Sequence, residues 1–202
     1  MRFDRDLRTF TVDEYLRLER DAEVRHELVG GERFALSGGT LRHNAIALNL
    51  AAHLRILTRD RGCRVFVSDV KVRVASDVFY YPDVVLTCAA VRDADVVVHD
   101  PYLLIEVTSP STAAVDRREK LVAYRRLPSL QHYLIVSQHR RQVTLHSRDE
   151  VSGEWTAESR AGVGSLRLSG LSGSISLDDV YEGVALPVPG EPEPDEFAGF
   201  EA

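Results

Sequence analysis

The chain has 202 residues, 44% of them hydrophobic and 28% charged, with 25 Lys+Arg against 31 Asp+Glu for a formal net charge of -6. That length and balance suit one soluble domain with a sizeable core and exclude disorder of the whole chain. No stretch approaches the roughly 18 uncharged apolar residues of a membrane span, and residues 1–10 hold no apolar signal core, so a cytoplasmic protein without membrane contact is expected. Cys63 and Cys88 are too few for a disulfide framework or a zinc site.

Thr11-Val12-Asp13-Glu14 reads as a capping box opening a short helix with Tyr15, Leu16 and Leu18 on its apolar side. Gly30-Gly31 between two short runs predicts a hairpin over about residues 25–37. Thr40 is a candidate N-cap for a helix of roughly four turns, marked by Ile46, Leu50, Leu54 and Leu57 and ended by Gly62. Cys63, Val65 and Val67 then alternate on one phase and Val70, Val72 and Val74 on the other. The slip at Ser68-Asp69 predicts a bulge or bend. Phe79–Thr87 reads as a second strand and 88–100 as a connection. Tyr102–Val107 is the near-continuous apolar run of a strand buried on both faces. After a loop, a helix is predicted from about Asp116 to Leu127, with Asp116 and Glu119 as a second capping box and Pro128 as its stop. His132–Ser137 and Gln142–Ser147 are further strands. Weaker signals lie around Trp155, Leu166–Leu168 and Ile175–Tyr181. The order predicts an α/β (or α+β) domain over residues 1–186, a mixed sheet flanked by helices. Residues 187–202 read as an extended, mobile, acidic tail, because 187–195 hold four of the eight prolines.

An acidic total argues against a nucleic-acid partner. Five of the acids and no base lie in 191–202, however, and without them 25 bases face 26 acids. The acidity is largely a property of the tail.

Glu106 stands in the middle of YLLIEV, where an unpaired carboxylate costs several kcal/mol or is forced to neutralise. It needs a base, a hydrogen-bond network or a metal. Asp83 follows Pro82, which cannot donate to a ladder, so it sits at a strand edge or a break in pairing. If the two strands are antiparallel neighbours, the carboxylates approach side by side and repel unless a cation joins them. Their oxygens suit Mg²⁺, Mn²⁺ or Ca²⁺. Of the 25 basic residues 23 are Arg; the lysines are Lys71 and Lys120. Lys120, in the helix after the Glu106 strand, can bring positive charge back over that strand's end. Alone it reads first as an i,i+4 partner of Asp116 on a solvated face. Arg117, Arg118, Arg125, Arg126, Arg140 and Arg141 form either a phosphate-facing strip or a solvated basic face.

Pro82-Asp83, then Glu106-Val107-Thr108 one strand later, then a helix, resembles the PD-(D/E)XK nuclease superfamily, with Thr108 where that pattern has lysine. RHELVGGE, LRHNAIALNLAAHL, SDVKVRV, YYPDVVLTC, IEVTSPST, DRREKLVAYRRLPSLQHYLIV and SLDDVY together resemble the bacterial "putative restriction endonuclease" family, an Uma-type domain of unknown function, over about residues 10–182. The resemblance implies a restriction-endonuclease-like core with an extra N-terminal helix and hairpin and C-terminal β elements. It implies a Mg²⁺- or Mn²⁺-dependent endonuclease acting on DNA. Asp83, Glu106 and the Val107 backbone carbonyl would be the metal ligands. The catalytic lysine would have moved to Lys120, and a homodimer is an expectation. Glu27 and His43 match further family positions, Glu27 as a group reaching a second metal or the nucleophilic water, and His43 as either a phosphate contact or a capping or packing histidine. Asp69, at the phase slip, is either an extra site carboxylate or a turn residue. The alternative is a catalytically inactive nuclease-fold module that binds nucleic acid or a protein partner, motivated by Thr108. A third reading makes Glu106 an ion-paired core residue only.

Overall fold

The computed structural model describes residues 9–108, 119–171 and 173–187. Helix α1 (Val12–Arg20) begins at the predicted capping box, Glu14 taking the Thr11 N–H at 2.9 Å while Thr11 caps the Glu14 N–H. Strands β1 (His26–Val29) and β2 (Glu32–Ala35) form the hairpin. Gly30 and Gly31 both have positive φ, 58° and 86°, the backbone that a tight two-residue turn requires. Thr40 caps α2 (Leu41–Leu57), whose Ile46, Leu50 and Leu54 are fully buried; burying each such side chain contributes roughly 1.5–3 kcal/mol.

The remaining elements are β3 (Arg64–Val67), β4 (Lys71–Ala75), β5 (Val78–Tyr80), β6 (Val84–Thr87), β7 (Val97–Val98), β8 (Leu103–Thr108), α3 (Leu121–Tyr124), β9 (His132–Ser137), β10 (Gln142–Arg148), β11 (Trp155–Ala161), β12 (Ser165–Leu168), β13 (Gly173–Ser176) and α4 (Leu177–Val180). They form two mixed sheets and a small hairpin. The first sheet runs β2-β1-β5-β4-β7, the second β11-β10-β9-β8-β6-β3, and β12 pairs with β13. The parallel pairs are β4–β7 and β8–β9. Helices α2 and α4 cover one face of the second sheet, over Leu103, Ile105, Val107, Leu134 and Val136. Its other face meets the first sheet and α3 through Val85, Leu104, Ile135, Tyr80 and Tyr124. Helix α1 covers the first sheet's far side, through Tyr15, Leu28 and Phe79.

The structure departs from the sequence reading where the chain changes sheets. The single strand expected over Phe79–Thr87 is two. Strand β5 ends at Tyr80 in the first sheet, and β6 starts at Val84 in the second. Pro82 has no N–H to give, so the ladder stops there and the chain crosses over. The slip at Ser68-Asp69 is the opposite crossing, from β3 to β4. It is the bend of the two expected alternatives, a tight turn with both residues at positive φ (44° and 41°), and not the bulge. The two crossings touch, Ser68 N–H bonding the Asp83 carbonyl at 3.1 Å. The register irregularity falls between Arg73 and Ala75 instead. The 88–100 connection contains β7.

Among the described residues, the helix expected over 116–127 is regular over Leu121–Tyr124, following a wider π-type turn at Glu119–Lys120. Arg126 and Leu127 bond three residues back, a tightening that ends the helix before Pro128. Asp116 and its capping box lie outside the described residues, as do Arg117, Arg118 and the tail from residue 188.

Cys63 and Cys88, directly opposite beyond the Arg64–Thr87 pair, are disulfide-bonded. The pair is too small for a framework, but it forms one cross-strand bridge that composition alone did not foresee. It closes a separation of 25 residues, so reduction, or Cys63→Ser, is expected to lower stability by about 2–4 kcal/mol. Denaturant titration with and without dithiothreitol measures it. An unchanged midpoint would mean that the bridge does not form in solution.

His132 has no solvent exposure and lies between the Ser147 hydroxyl and the Ser169 carbonyl. Burial lowers its pKa below 6.5, and burial followed by the neighbouring Arg125 lowers that of His146. Both are neutral in the fold and protonate more readily once unfolded. Their contribution to stability is therefore present above about pH 6.5 and is lost as pH falls below it. Melting temperature is expected to fall between pH 7 and 5, and a His132→Gln/His146→Gln variant should flatten that slope.

Candidate active site

The two crossings and the C-terminal ends of the parallel strands β8 and β9 meet at one place, and the predicted carboxylates lie there. Strand β8 is buried along its whole length. Leu103, Ile105 and Val107 face α2, while Leu104 faces the other core, so alternation turns Glu106 toward the first sheet and α3. Glu106 is 5% exposed. Its Oε1 accepts from Lys120 Nζ at 3.2 Å and from the Tyr124 hydroxyl at 2.8 Å. Burial, followed by the Glu106 charge, raises the Tyr124 pKa well above its ordinary value, so the phenol stays a donor.

Strand β6 pairs antiparallel with β8 from Val84–Ile105 onward, which makes Asp83 and Glu106 the next facing positions. There the ladder gives way to a side chain. Asp83 Oδ2 takes the Val107 N–H at 2.6 Å, and Oδ1 takes His43 Nε2 at 2.8 Å. An ionised carboxylate only accepts, so the His43 ring donates. In a strand a residue's N–H and C=O point to the same side, so the Val107 carbonyl faces the Asp83 side as well.

His43 is delivered by the first turn of α2. Thr40 caps that turn through the His43 N–H and donates its hydroxyl to Gln138 just past β9. Gly39 leaves room for the ring, since a Cβ there would lie 2.9 Å from His43 Cδ2.

Glu27, on β1, completes the group from the other sheet. Its Oε1 lies 3.0 Å from Lys120 Nζ and accepts the Tyr81 N–H at 3.2 Å. Lys120 therefore joins Glu106 on the second sheet to Glu27 on the first, with Nζ 5.3 Å from the Tyr80 ring centroid. Lys120 thus lies in a buried double ion pair and not on a solvated face, while its expected i,i+4 partner Asp116 lies outside the described residues.

Asp83, Glu106, Lys120, Glu27 and His43 are thus drawn into one connected cluster. Asp69 is not. The left-handed backbone of its turn directs the carboxylate outward to Arg25 Nε at 3.3 Å, with the side chain 72% exposed. The arginine strip does not assemble among the described residues. Arg125 lies over Trp155 and beside His146, and Arg141 pairs with Asp178.

Sequence reasoning missed Tyr124, although its position four residues after Lys120 on the same helix was a usable signal. It also missed Glu19. That fully buried carboxylate takes the His26 N–H and the Tyr81 hydroxyl, and so holds the backbone that positions Glu27. Nothing in its helical context marked it.

Among the described residues, no group of three or more His, Cys, Asp or Glu is placed to hold a metal by side chains alone. A divalent ion here would rely on Asp83, Glu106 and a backbone oxygen. That donor set is all oxygen and fits Mg²⁺ or Mn²⁺, which keep several waters, rather than zinc. Each carboxylate oxygen has two lone pairs; Asp83 Oδ1 and Oδ2 take one of the described bonds each, whereas both described bonds to Glu106 fall on Oε1.

The profile of the family described as "Uma2: Putative restriction endonuclease" matches residues 12–196. The chain is 31% identical over 175 residues to the uncharacterised protein slr1290 of Synechocystis sp., covering 86% of this chain and 92% of that one. It is 35% identical over 132 residues to the uncharacterised protein sll1609 of the same organism, covering 63% and 75%. In structure it resembles a crystal structure titled as "a putative nuclease belonging to DUF820" from Anabaena variabilis. The TM-score is 0.72 at 15% identity, over 87% of this chain and 99% of that one. The α/β fold expected from the sequence is the one shared with that chain. No helix among the described residues is long and apolar enough to cross a membrane.

Proposed function

The chain belongs to the Uma2 family, and from that premise we propose that it is a Mg²⁺- or Mn²⁺-dependent endonuclease that hydrolyses phosphodiester bonds in DNA. The observation that carries the reading is the fastening of Asp83 to the Val107 N–H, one residue past a buried Glu106 that is itself held by Lys120. Carboxylates kept this close by fixed donors are a preformed oxygen site for a hard cation. When bound, the metal supplies Lewis-acid stabilisation and a water of lowered pKa. The chain's residues do the rest. His43 and the Val107 N–H fix the Asp83 carboxylate, and Tyr124 fixes Glu106. Glu27 orients the attacking water. Lys120 holds positive charge where negative charge develops on the phosphoryl oxygens.

The test is nicking or linearisation of plasmid DNA with Mg²⁺ or Mn²⁺, comparing wild type with Asp83→Ala, Glu106→Ala and Lys120→Ala. Activity surviving all three changes would sink the assignment.

One observation favours a second reading, a nuclease-fold module that binds nucleic acid or a protein without cutting. Lys120 already neutralises both Glu106 and Glu27, and Thr108 stands where a strand lysine would be. Calorimetric titration of divalent metal separates the two. Metal binding that vanishes in Glu106→Gln supports the enzyme, and no binding supports the module. A homodimer cutting both strands, in the cytoplasm, belongs with the enzyme reading. The Cys63–Cys88 bridge bears against that compartment, because disulfides are rare in a reducing cytosol.

A further inference from the structure

The chain's two lysines are both buried, and they are used in opposite ways. Lys120 sits between two carboxylates at 3.0 and 3.2 Å. Lys71 is 6% exposed and, among the described residues, has neither an ion-pair partner nor a hydrogen-bond acceptor for its amino group. Its Nζ rests over the Tyr81 ring, 5.2 Å from the centroid. A cation over an aromatic face recovers about 0.5–2 kcal/mol. Enclosing the side chain of an ammonium that has no acceptor among the described residues costs part of its hydration. A Met or Leu would fill the same space without the cost, so the charge at this position calls for an anion.

The surroundings say which anion and where. The Val72–Tyr80 pairing places Lys71 opposite Tyr81, at the end of the first sheet from which the chain crosses to Asp83. Tyr81 precedes Asp83 by two residues and gives its N–H to Glu27. On the other side, the left-handed Ser68-Asp69 turn binds the Asp83 carbonyl and leads directly into Lys71. The charges that act on Lys71 are the buried Glu19, then Arg25, then Asp69, and Arg25, paired with the exposed Asp69, is the second cation there. Lys71 thus adjoins both segments that position Asp83, on the opposite side of the first sheet's end from Lys120. We propose that Lys71, with Arg25 beside it, holds a backbone phosphate of the nucleic-acid strand flanking the Asp83–Glu106 site. This rests on the nucleic-acid reading above. It assigns the two lysines different tasks, Lys120 at the carboxylates and Lys71 at the substrate backbone. Burial, which lowers the Lys71 pKa, fits a site completed by an incoming anion.

The experiment uses the full chain and a labelled DNA duplex without divalent metal, so that cleavage plays no part. Binding is followed by anisotropy over a salt series for wild type, Lys71→Met and Lys71→Arg. Methionine fills the buried stem, and circular dichroism checks the fold. The expected result for Lys71→Met is an affinity lower by roughly 3–10-fold and a slope of log K against log salt shallower by about 1. Lys71→Arg should stay near wild type. Wild-type affinity and slope in Lys71→Met would overturn the proposal, as would a wild type that does not bind. Plasmid nicking with Mg²⁺ on the same preparations keeps the two readings apart. Cleavage by wild type with an unaltered Lys71→Met binding curve removes the phosphate contact and leaves the enzyme. A shifted binding curve without any cleavage leaves the contact and removes the enzyme.

Discussion

Glu106→Gln is expected to abolish metal-dependent cleavage, by on the order of 10³-fold or more, while leaving the fold intact. The change keeps the shape of the side chain and one acceptor oxygen, so the Tyr124 hydroxyl retains its partner. It removes the charge. A hard divalent ion takes its binding energy from anionic oxygens, and the described residues offer only Asp83 and Glu106 at this strand end, with Glu27 reached through Lys120. Losing one of two charged ligands should cost several kcal/mol of cation stabilisation, and each 1.36 kcal/mol is a factor of ten in rate. Calorimetry is the independent arm. Metal binding should weaken in Glu106→Gln in step with activity. A variant that binds Mg²⁺ as wild type does yet fails to cut would place the ion elsewhere and make Glu106 a proton-handling group.

The local half of this site was legible because its geometry is local. Asp83 and Glu106 face each other at the end of two antiparallel strands that are neighbours in one sheet, so a Pro-Asp break and an acid in an apolar run suffice to bring them together. Lys120 follows on the same strand–helix unit. Glu27 was harder, since its approach depends on β1 pairing with β5, Leu28 against Phe79, across 51 residues of chain. No periodicity encodes that. The same limit explains the fold. Alternation and turn residues marked the hairpin, α2 and β8, where each element's pattern agrees with its burial. They did not show that Pro82 and Ser68-Asp69 are doors between two sheets, because a crossing and a bulge interrupt a pattern in the same way. The choice for Asp69 between a site carboxylate and a turn residue stayed open for that reason, and the structure gives the turn residue, its direction set by two left-handed residues rather than by strand phase.

Lys120→Met is expected to lower stability by about 3–5 kcal/mol, the cost of breaking a buried ion pair from one side. The three side chains concerned are 9%, 11% and 6% exposed, so solvent screens them little. Without the ammonium, Glu106 and Glu27 are left as buried acids that no other described cation joins. For a chain of this length the loss corresponds to a fall in melting temperature of roughly 6–20 °C. Two further measurements identify the cause. First, Glu106→Gln in the Lys120→Met background should restore part of the loss, because removing both partners costs less than stranding one. The double-mutant cycle should show coupling of about 0.5–3 kcal/mol. Second, Mg²⁺ or Mn²⁺ should raise the melting temperature of Lys120→Met, since a divalent cation bound at the carboxylates stabilises only the folded chain. A Lys120→Met protein as stable as wild type would mean that the ion pair does not form. A destabilised variant that neither Glu106→Gln nor metal rescues would mean that Lys120 acts through its packing on Tyr80 and not through its charge.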